Sequence, residues 1–376
     1  MGFERVPFTY TVRPTTDEEF NANMPYLTSS MVEAVNTCPR WGIIHSVHGK
    51  RFVTGYRQMA LEAGSLMHDV FGALNMAHLG VFRNLPDHMH HHAIMLFGKD
   101  RWDYVWRETT AKEQNPTTES IRAFERMAYA IIGTSDFYDD PDDKNRTLAN
   151  LEHCALELVQ YWLYALARFP IYVTDENNPE RPVGVEMSLD TVFEFNGQPF
   201  GYDEIIKLRT IGLADAVYQN LTNYVTSLGE YKTSASMNDA WRDAFNTRHQ
   251  ITLYNAQLQA YFPGTLRDHF NTILIGSAIP VRRTSSPVQH FTVNRDQQNV
   301  EEMLRAFLYA RRVIDGFNNV PLETPMFTHS CNRFFRKCSL MDLCTAARED
   351  QEEMLATMPV EHAPSPSEMK ALLRNM

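Results

Sequence analysis

Glu230-Tyr231-Lys232 places a carboxylate and an ammonium two residues apart. On a β-strand such residues share a face, so acid and lysine meet in one small site. A carboxylate holds a hard divalent cation through oxygen. A lysine beside it orients or deprotonates an attacking water and offsets developing charge, which suits metal-assisted phosphodiester hydrolysis. The triplet alone is unspecific. Acid-x-Lys recurs at Asp142 to Lys144 and at Glu368 to Lys370, where a solvated salt bridge is the ordinary outcome. Asp215 sharpens the signal. It lies 15 residues before Glu230 in the apolar "IGLADAVYQ", where a lone carboxylate is expensive. Two neighbouring strands joined through the turn-like "NLTN" would set it beside Glu230, unless it sits on an edge strand and reaches solvent.

Gly64 and His68 are four residues, one helical turn, apart in "EAGSLMHDVFGAL". A histidine on an apolar helix face is often a satisfied core residue, but a glycine inside a helix is costly and asks for a packing reason. With these residues in place the chain resembles the RecB-like branch of the PD-(D/E)XK nucleases. That branch carries a G-x-x-x-H helix, then G-x-x-D on one strand and acid-x-Lys on the next. Here they read Gly64 to His68, Gly212 to Asp215 and Glu230 to Lys232. The resemblance implies His68, Asp215 and Glu230 as ligands of Mg²⁺ or Mn²⁺, with the Tyr231 carbonyl nearby, and Lys232 as the catalytic lysine. A Q-x-x-x-Y helix follows in the family. Gln250 to Tyr254 and Gln257 to Tyr261 both match it, on one helical face, suited to lining a DNA strand; the first pair is favoured because it is closer to the lysine. Glu186 matches a strand glutamate often found before the G-x-x-D, with either a structural or a metal-assisting role.

Three of the five cysteines, Cys331, Cys338 and Cys344, fall within 14 residues. Clustered cysteines in a reducing compartment point to metal or redox chemistry. Cys154 lies in an apolar helical stretch and reads as core, which leaves Cys38 as a fourth ligand. Four thiolates suit a [4Fe–4S] cluster or zinc. The resemblance favours the cluster: the AddB nuclease domain and the CRISPR-associated iron–sulfur exonucleases hold one with one Cys before the core and three after it. Their last three are spaced C-x2-C-x5-C, whereas this chain has C-x6-C-x5-C. The clasp would tie both ends of the chain together.

The elements that must position these residues follow from periodicity. Helices are expected over 56–80, over 147–168, in "SSMVEAVNTCPRWGII" up to Pro39, in "AWRDAFNTRHQITLYNAQLQAYF" as one unit, and in "VEEMLRAFLYARRVIDGF". Strands are expected in "VGVEMSLDTVFEF", "LRTIGLADAVYQ", "YVTSLGEYKTSA", "TILIGSAIPV" and "PVQHFTVNR". Residues 1–25 read as irregular. The implied organisation is an α/β restriction-endonuclease-like core at 56–80 and 147–320, a central mixed sheet flanked by helices. A segment at 1–55 carries the first cysteine, and 81–146 form a helical insertion. Residues 321–345 are the cysteine-rich end and 346–376 a tail. The insertion's His88, His90, His91 and His92 could bind a metal but read better as a solvated or partner-facing segment.

The chain of 376 residues is 44% hydrophobic and 11% aromatic, ample for a sizeable core. No apolar run is long enough for a spanning helix and the start lacks a signal-peptide pattern, so a cytoplasmic protein without membrane contact is expected. A formal charge of −11 argues against a non-specific nucleic-acid coat, but not against a nuclease with an acidic metal site. Arg282, Arg283, Arg333, Arg336 and Lys337 are candidate DNA-backbone contacts. The expected function is metal-dependent DNA hydrolysis, an exonuclease on single-stranded ends, with a homo-oligomer or a helicase or recombination protein as possible partner. Two other readings stand beside it. One is a DNA-binding or assembly subunit of a repair, recombination, spacer-acquisition or phage complex with weak or gated activity. The other is a zinc-stabilised endonuclease.

Overall fold

The computed structural model describes residues 8–22, 24–50, 59–77, 87–110, 118–163, 184–219, 226–246, 248–262, 270–279, 287–327 and 338–360. It is an α/β structure built on a seven-stranded mixed sheet flanked by helices. The strands are β1 (Tyr10–Pro14), β2 (Tyr26–Leu27), β3 (Val185–Asn196), β4 (Ile205–Gln219), β5 (Thr226–Ser234), β6 (Phe270–Ala278) and β7 (Val288–Arg295). Their order is β1-β3-β4-β5-β6-β7, with β2 pairing β4 in parallel. β4 and β5 are antiparallel, β5 and β6 parallel, and β6 and β7 antiparallel. The chain divides into two compact units, one of residues 58–187 and 213–295 and one of residues 1–57, 188–212 and 296–376.

The first unit carries α4 (Met59–Ala77), α5 (Asp87–Phe97), α6 (Lys99–Thr110), α7 (Thr118–Gly133), α8 (Leu148–Tyr161), α9 (Asp239–Phe245) and α10 (His249–Tyr261). Its core gathers one face of α4, α7 and α8 with Tyr231, Ile273 and Ile275 of the sheet. The first turn of α4 falls where the apolar spacing begins. The helix keeps Met67, Val70, Phe71 and Leu74 fully enclosed, as a three-to-four spacing on one face requires. The insertion is helical, but its histidines are not a solvated patch. His90 Nδ1 accepts from the Trp102 indole at 3.1 Å, and His92 Nε2 meets the Val185 carbonyl at 2.7 Å. A histidine has one apolar body and two polar tips, and here the tips find partners while the rings pack. His91 stays exposed, and nothing is described of the His88 side chain.

The segment expected as one helix over 240–262 is two. Asn238 caps α9, which ends at Phe245, and α10 restarts at His249. The break carries neither Gly nor Pro at the described positions, so periodicity ran through it. The Arg295 guanidinium occupies it instead, donating to the Phe245 carbonyl and, at 3.0 Å, to the Thr252 hydroxyl.

In the second unit, the described residues between 10 and 27 form regular elements rather than an irregular segment. β1 pairs with β3 from Tyr10↔Phe195 to Pro14↔Thr191. α1 (Asp17–Asn21) opens with a Thr16–Glu19 capping box. Asp190 on β3 and Arg209 on β4 form a buried pair at 2.7 Å, and Arg209 also donates to the Met24 carbonyl. α2 (Ser29–Thr37) stops at Cys38, but Pro39 does not end helical structure. It sits at the first position of α3 (Pro39–Trp41), where a missing N–H costs nothing, and a π-helical turn, Gly42–Val47, continues from it. α11 (Gln297–Phe317), α12 (Met341–Thr345) and α13 (Arg348–Thr357) complete the unit.

Candidate metal centre

The centre lies where the β4–β5 ladder ends. Its described pairs run from Gln219↔Thr226 to Ala216↔Gly229. Two residues further on, the backbone of β5 finds a side chain instead: the Tyr231 N–H donates to Asp215 Oδ2 at 2.6 Å. Asp215 therefore turns one oxygen to the sheet and leaves the other for His68, whose Nδ1 is 3.4 Å from Oδ1. Gly64 explains how α4 comes so near. A Cβ there would stand 3.2 Å from the Thr233 hydroxyl of β5, tighter than ordinary contact. One turn later His68 points at Asp215.

Alternation along β5 separates two sets of side chains. Tyr231 goes into the core, stacked on Phe71 with ring centroids 4.8 Å apart and edge-on to His68. Glu230 is fully buried, and Lys232 reaches back to it, Nζ to Oε1 at 2.5 Å. From α10, Gln250 Nε2 donates to the same oxygen at 2.9 Å and to the Tyr254 hydroxyl at 3.3 Å. Both donors serve Glu230 Oε1. Its Oε2 is enclosed without any donor from the protein, as is Glu186 Oε1. An enclosed anionic oxygen without a partner costs several kcal/mol unless a cation answers it.

The electrostatics follow from this crowding. Burial, reinforced by Asp215, pushes the Glu230 carboxyl up to about 7. Burial raises Glu186 as well, with Asp215, Asp69 and Glu230 adding to it. Burial would raise Asp215 too, but His68, Lys232 and the Tyr231 N–H outweigh it and hold the carboxyl below its ordinary value. For Lys232 burial opposes charge, yet Glu230 and Asp215 prevail and keep the ammonium above its usual range. Burial and the Glu230 charge push the Tyr254 hydroxyl up to about 12.

Among the described residues, one set of three metal-ligating side chains converges. The ligand atoms of His68, Glu186 and Asp215 lie within 4.8 Å of one another. A histidine nitrogen with carboxylate oxygens suits a divalent cation of the Mg²⁺ or Mn²⁺ class. Of the residues expected from sequence, His68, Asp215, Glu230, Lys232, Gln250 and Tyr254 come together here. Tyr231 contributes its N–H to Asp215. Gln257 is sealed in the core and Tyr261 is half-buried at the end of α10. Glu186 is the member that sequence left undecided. Its acid-in-strand pattern resembles that of Glu194 on the same strand, which instead pairs with Arg13.

The cysteines belong to the other unit. Cys38 is buried between α2 and α3, and Cys338 and Cys344 pack against the small core of Ile44, Leu322, Leu340, Leu343 and Met358. Arg40 joins the two segments, donating to the Thr324 carbonyl at 3.0 Å. Burial raises the Cys344 thiol; Arg40 opposes this, and Cys338 and Cys38 add to it. The three sulfurs do not reach the 4.8 Å spacing of the histidine–carboxylate set. Cys331 lies outside the described residues, as do Arg282, Arg283, Arg333, Arg336 and Lys337. Cys154 is core, its thiol pushed up to about 12 by burial.

In comparisons with known proteins, no family model matches the chain and no curated protein does. No described helix is long and apolar enough to cross a membrane.

Proposed function

We propose that this protein is a metal-dependent DNA nuclease of the RecB-like PD-(D/E)XK type, hydrolysing phosphodiester bonds as an exonuclease on single-stranded ends. The observation that carries the reading is the ion pair of Glu230 and Lys232 beside Asp215 on the adjacent strand, with an enclosed carboxylate oxygen left without a donor. The donor set fits a hard divalent cation. His68, Asp215 and Glu230 would hold it, and when bound it supplies Lewis-acid polarisation of the scissile phosphate.

The chain's own residues do the rest. Lys232 keeps its proton beside Glu230 and offers positive charge where the attacked phosphate gains negative charge. Gln250 fixes Glu230 from α10, so the carboxylate does not swing to follow the lysine. Asp215 is held by the Tyr231 N–H, which sets its free oxygen toward His68. The resemblance gives Gln250 and Tyr254 the contact with a DNA strand; in this chain the amide bonds Glu230 and the hydroxyl of the buried Tyr254. We further propose that Cys38, Cys331, Cys338 and Cys344 hold a structural [4Fe–4S] cluster. That rests on the resemblance and on the shared unit of the three described cysteines.

Asp215→Ala and Lys232→Ala should each lower Mn²⁺-dependent degradation of end-labelled single-stranded DNA by about 10²- to 10⁴-fold. Both variants degrading DNA at the parental rate would sink the mechanism.

A further inference from the structure

The strand beside β5 carries no side chain next to Lys232, and an indole takes that space. In the β5–β6 ladder Lys232 stands opposite Gly276, and Glu230 opposite Leu274. Ladder partners share a face, on strands about 4.8 Å apart. A Cβ on Gly276 would stand 2.6 Å from the far edge of the Trp241 ring and 2.5 Å from the Met237 sulfur. Glycine thus lets the indole of α9 come down onto β6, one strand from the lysine. The ring is T-shaped to Phe245, centroids 4.9 Å apart, and to Phe291 at 6.1 Å. Phe291 stands opposite Leu274, so apolar ground continues along the row that begins at Glu230.

These contacts fix Trp241 but leave its polar end unexplained. The buried indoles of Trp102 and Trp162 donate to His90 and to Asn75, at 3.1 and 3.0 Å. The half-buried Trp241 bonds only through its backbone N–H, to Asn238, and its indole N–H has no acceptor among the described residues. Arg248 repeats the pattern on the same phenylalanine. Its guanidinium lies 4.6 Å from the Phe245 centroid and makes neither a hydrogen bond nor an ion pair with a described residue. Arg242 also lies over a ring, that of Phe291, but Asp239 answers its charge. Asp239 and Asp243 are exposed on the side of α9 away from Trp241 and Phe245. Arg248 precedes by two residues Gln250, which bonds Glu230. An unanswered cation and an unanswered donor therefore share one apolar platform beside the Glu230–Lys232 pair. That combination complements an anionic strand with flat bases.

We propose that Trp241 and Arg248 seat the nucleotide flanking the bond cleaved at Lys232. The indole takes its base and the guanidinium its phosphate. This rests on the nuclease reading of the centre. A base must leave its complement to lie on the indole, so the seat selects unpaired over paired DNA at that position.

The test is fluorescence anisotropy of labelled single-stranded oligonucleotides with the full chain in Ca²⁺. Trp241→Ala should weaken binding by about 5- to 100-fold, and Trp241→Phe by less. Arg248→Ala should weaken it and flatten the log–log salt slope by about 0.7, whereas Arg248→Lys should keep the slope. An abasic residue placed in turn at each position from the end separates contact from mere support. In the parent one position should lose affinity, and in Trp241→Ala that loss should vanish. Equal abasic profiles in parent and Trp241→Ala would overturn the proposal, as would parental affinity and slope in Arg248→Ala. With Lys232→Ala inactive, either result leaves the nuclease reading standing. Parental Mn²⁺-dependent degradation by Lys232→Ala would instead overturn that reading, whatever the abasic profile.

Discussion

Glu230 shows how one residue can be both the anchor of a site and a liability to the fold. It is fully buried, accepts two donors on one oxygen and none on the other, and its carboxyl is pushed up to about 7 by burial and by Asp215. An unfolded glutamate titrates near 4.3, so between that value and 7 the folded metal-free protein holds the proton more tightly than the unfolded chain does. Stability from this group is therefore greatest at low pH and is lost as pH rises through the window, by on the order of 3 kcal/mol. A divalent cation competes with that proton, so Mn²⁺ affinity should climb across the same range. Urea denaturation in chelator at pH 5 and pH 7.5 measures the first effect. Glu230→Gln should flatten the difference; equal slopes in parent and variant would show that burial at this position does not govern the titration.

At the scale of elements, the centre exists because two close approaches were made possible by glycine. Gly64 lets α4 lie against Thr233, and Gly229, immediately before Glu230, lets the Tyr218 ring cross the ladder. A Cβ at Gly229 would enter the edge of that ring and stand 2.9 Å from the Ala216 Cβ. Gly229→Ala should cost about 1–3 kcal/mol of stability, because both neighbours are buried and neither can swing away. It should also weaken Mn²⁺, since relief comes by moving β5 and Glu230 with it. Parental stability in urea would show that the strand pair is looser than its register implies. Gly64, the alternation of β3 to β7 and the spacing of α4 were readable because they are local, whereas the need for glycine at 229 shows only once Tyr218 is placed against it. What was not readable depends on distant partners. β1 is a strand because β3 is there to pair with it, some 180 residues on. The break between α9 and α10 is made by Arg295 rather than by a helix-breaking residue. The histidines of α5 looked solvated because neither Trp102 nor the Val185 carbonyl is near them in sequence. Glu186 stayed open between a structural and a metal-assisting role for the same reason: which of the two applies depends on His68 and Asp215, distant in sequence, standing beside it.

For the whole molecule, the two units divide the chemistry. His68, Glu186, Asp215, Glu230 and Lys232 all belong to the unit of residues 58–187 and 213–295, and Cys38, Cys338 and Cys344 to the other. In that second unit the early and late parts of the chain are tied by Arg40 to Thr324, by His48 to the Asn318 carbonyl at 2.9 Å, and by Lys50 to the Leu355 carbonyl at 2.5 Å. The bonds join residues 40–50, after β2, to residues that follow β7, closing loops of 270 to 305 residues. A four-cysteine site bridging Cys38 to Cys338 and Cys344 would close the same loop with much stronger bonds. If it is a [4Fe–4S] site, each ligand is needed equally, since three thiolates leave one iron exposed. Cys38→Ser, Cys331→Ser and Cys344→Ser, purified without oxygen, should therefore lose iron and sulfide to the same degree. Cys154→Ser should keep the parental content, because that thiol is sealed in the other unit's core and resists ionisation. Iron retained in Cys38→Ser but lost in Cys344→Ser would break the clasp, placing any cluster on the late cysteines alone. Zinc in place of iron in the parent would keep the clasp and change its metal.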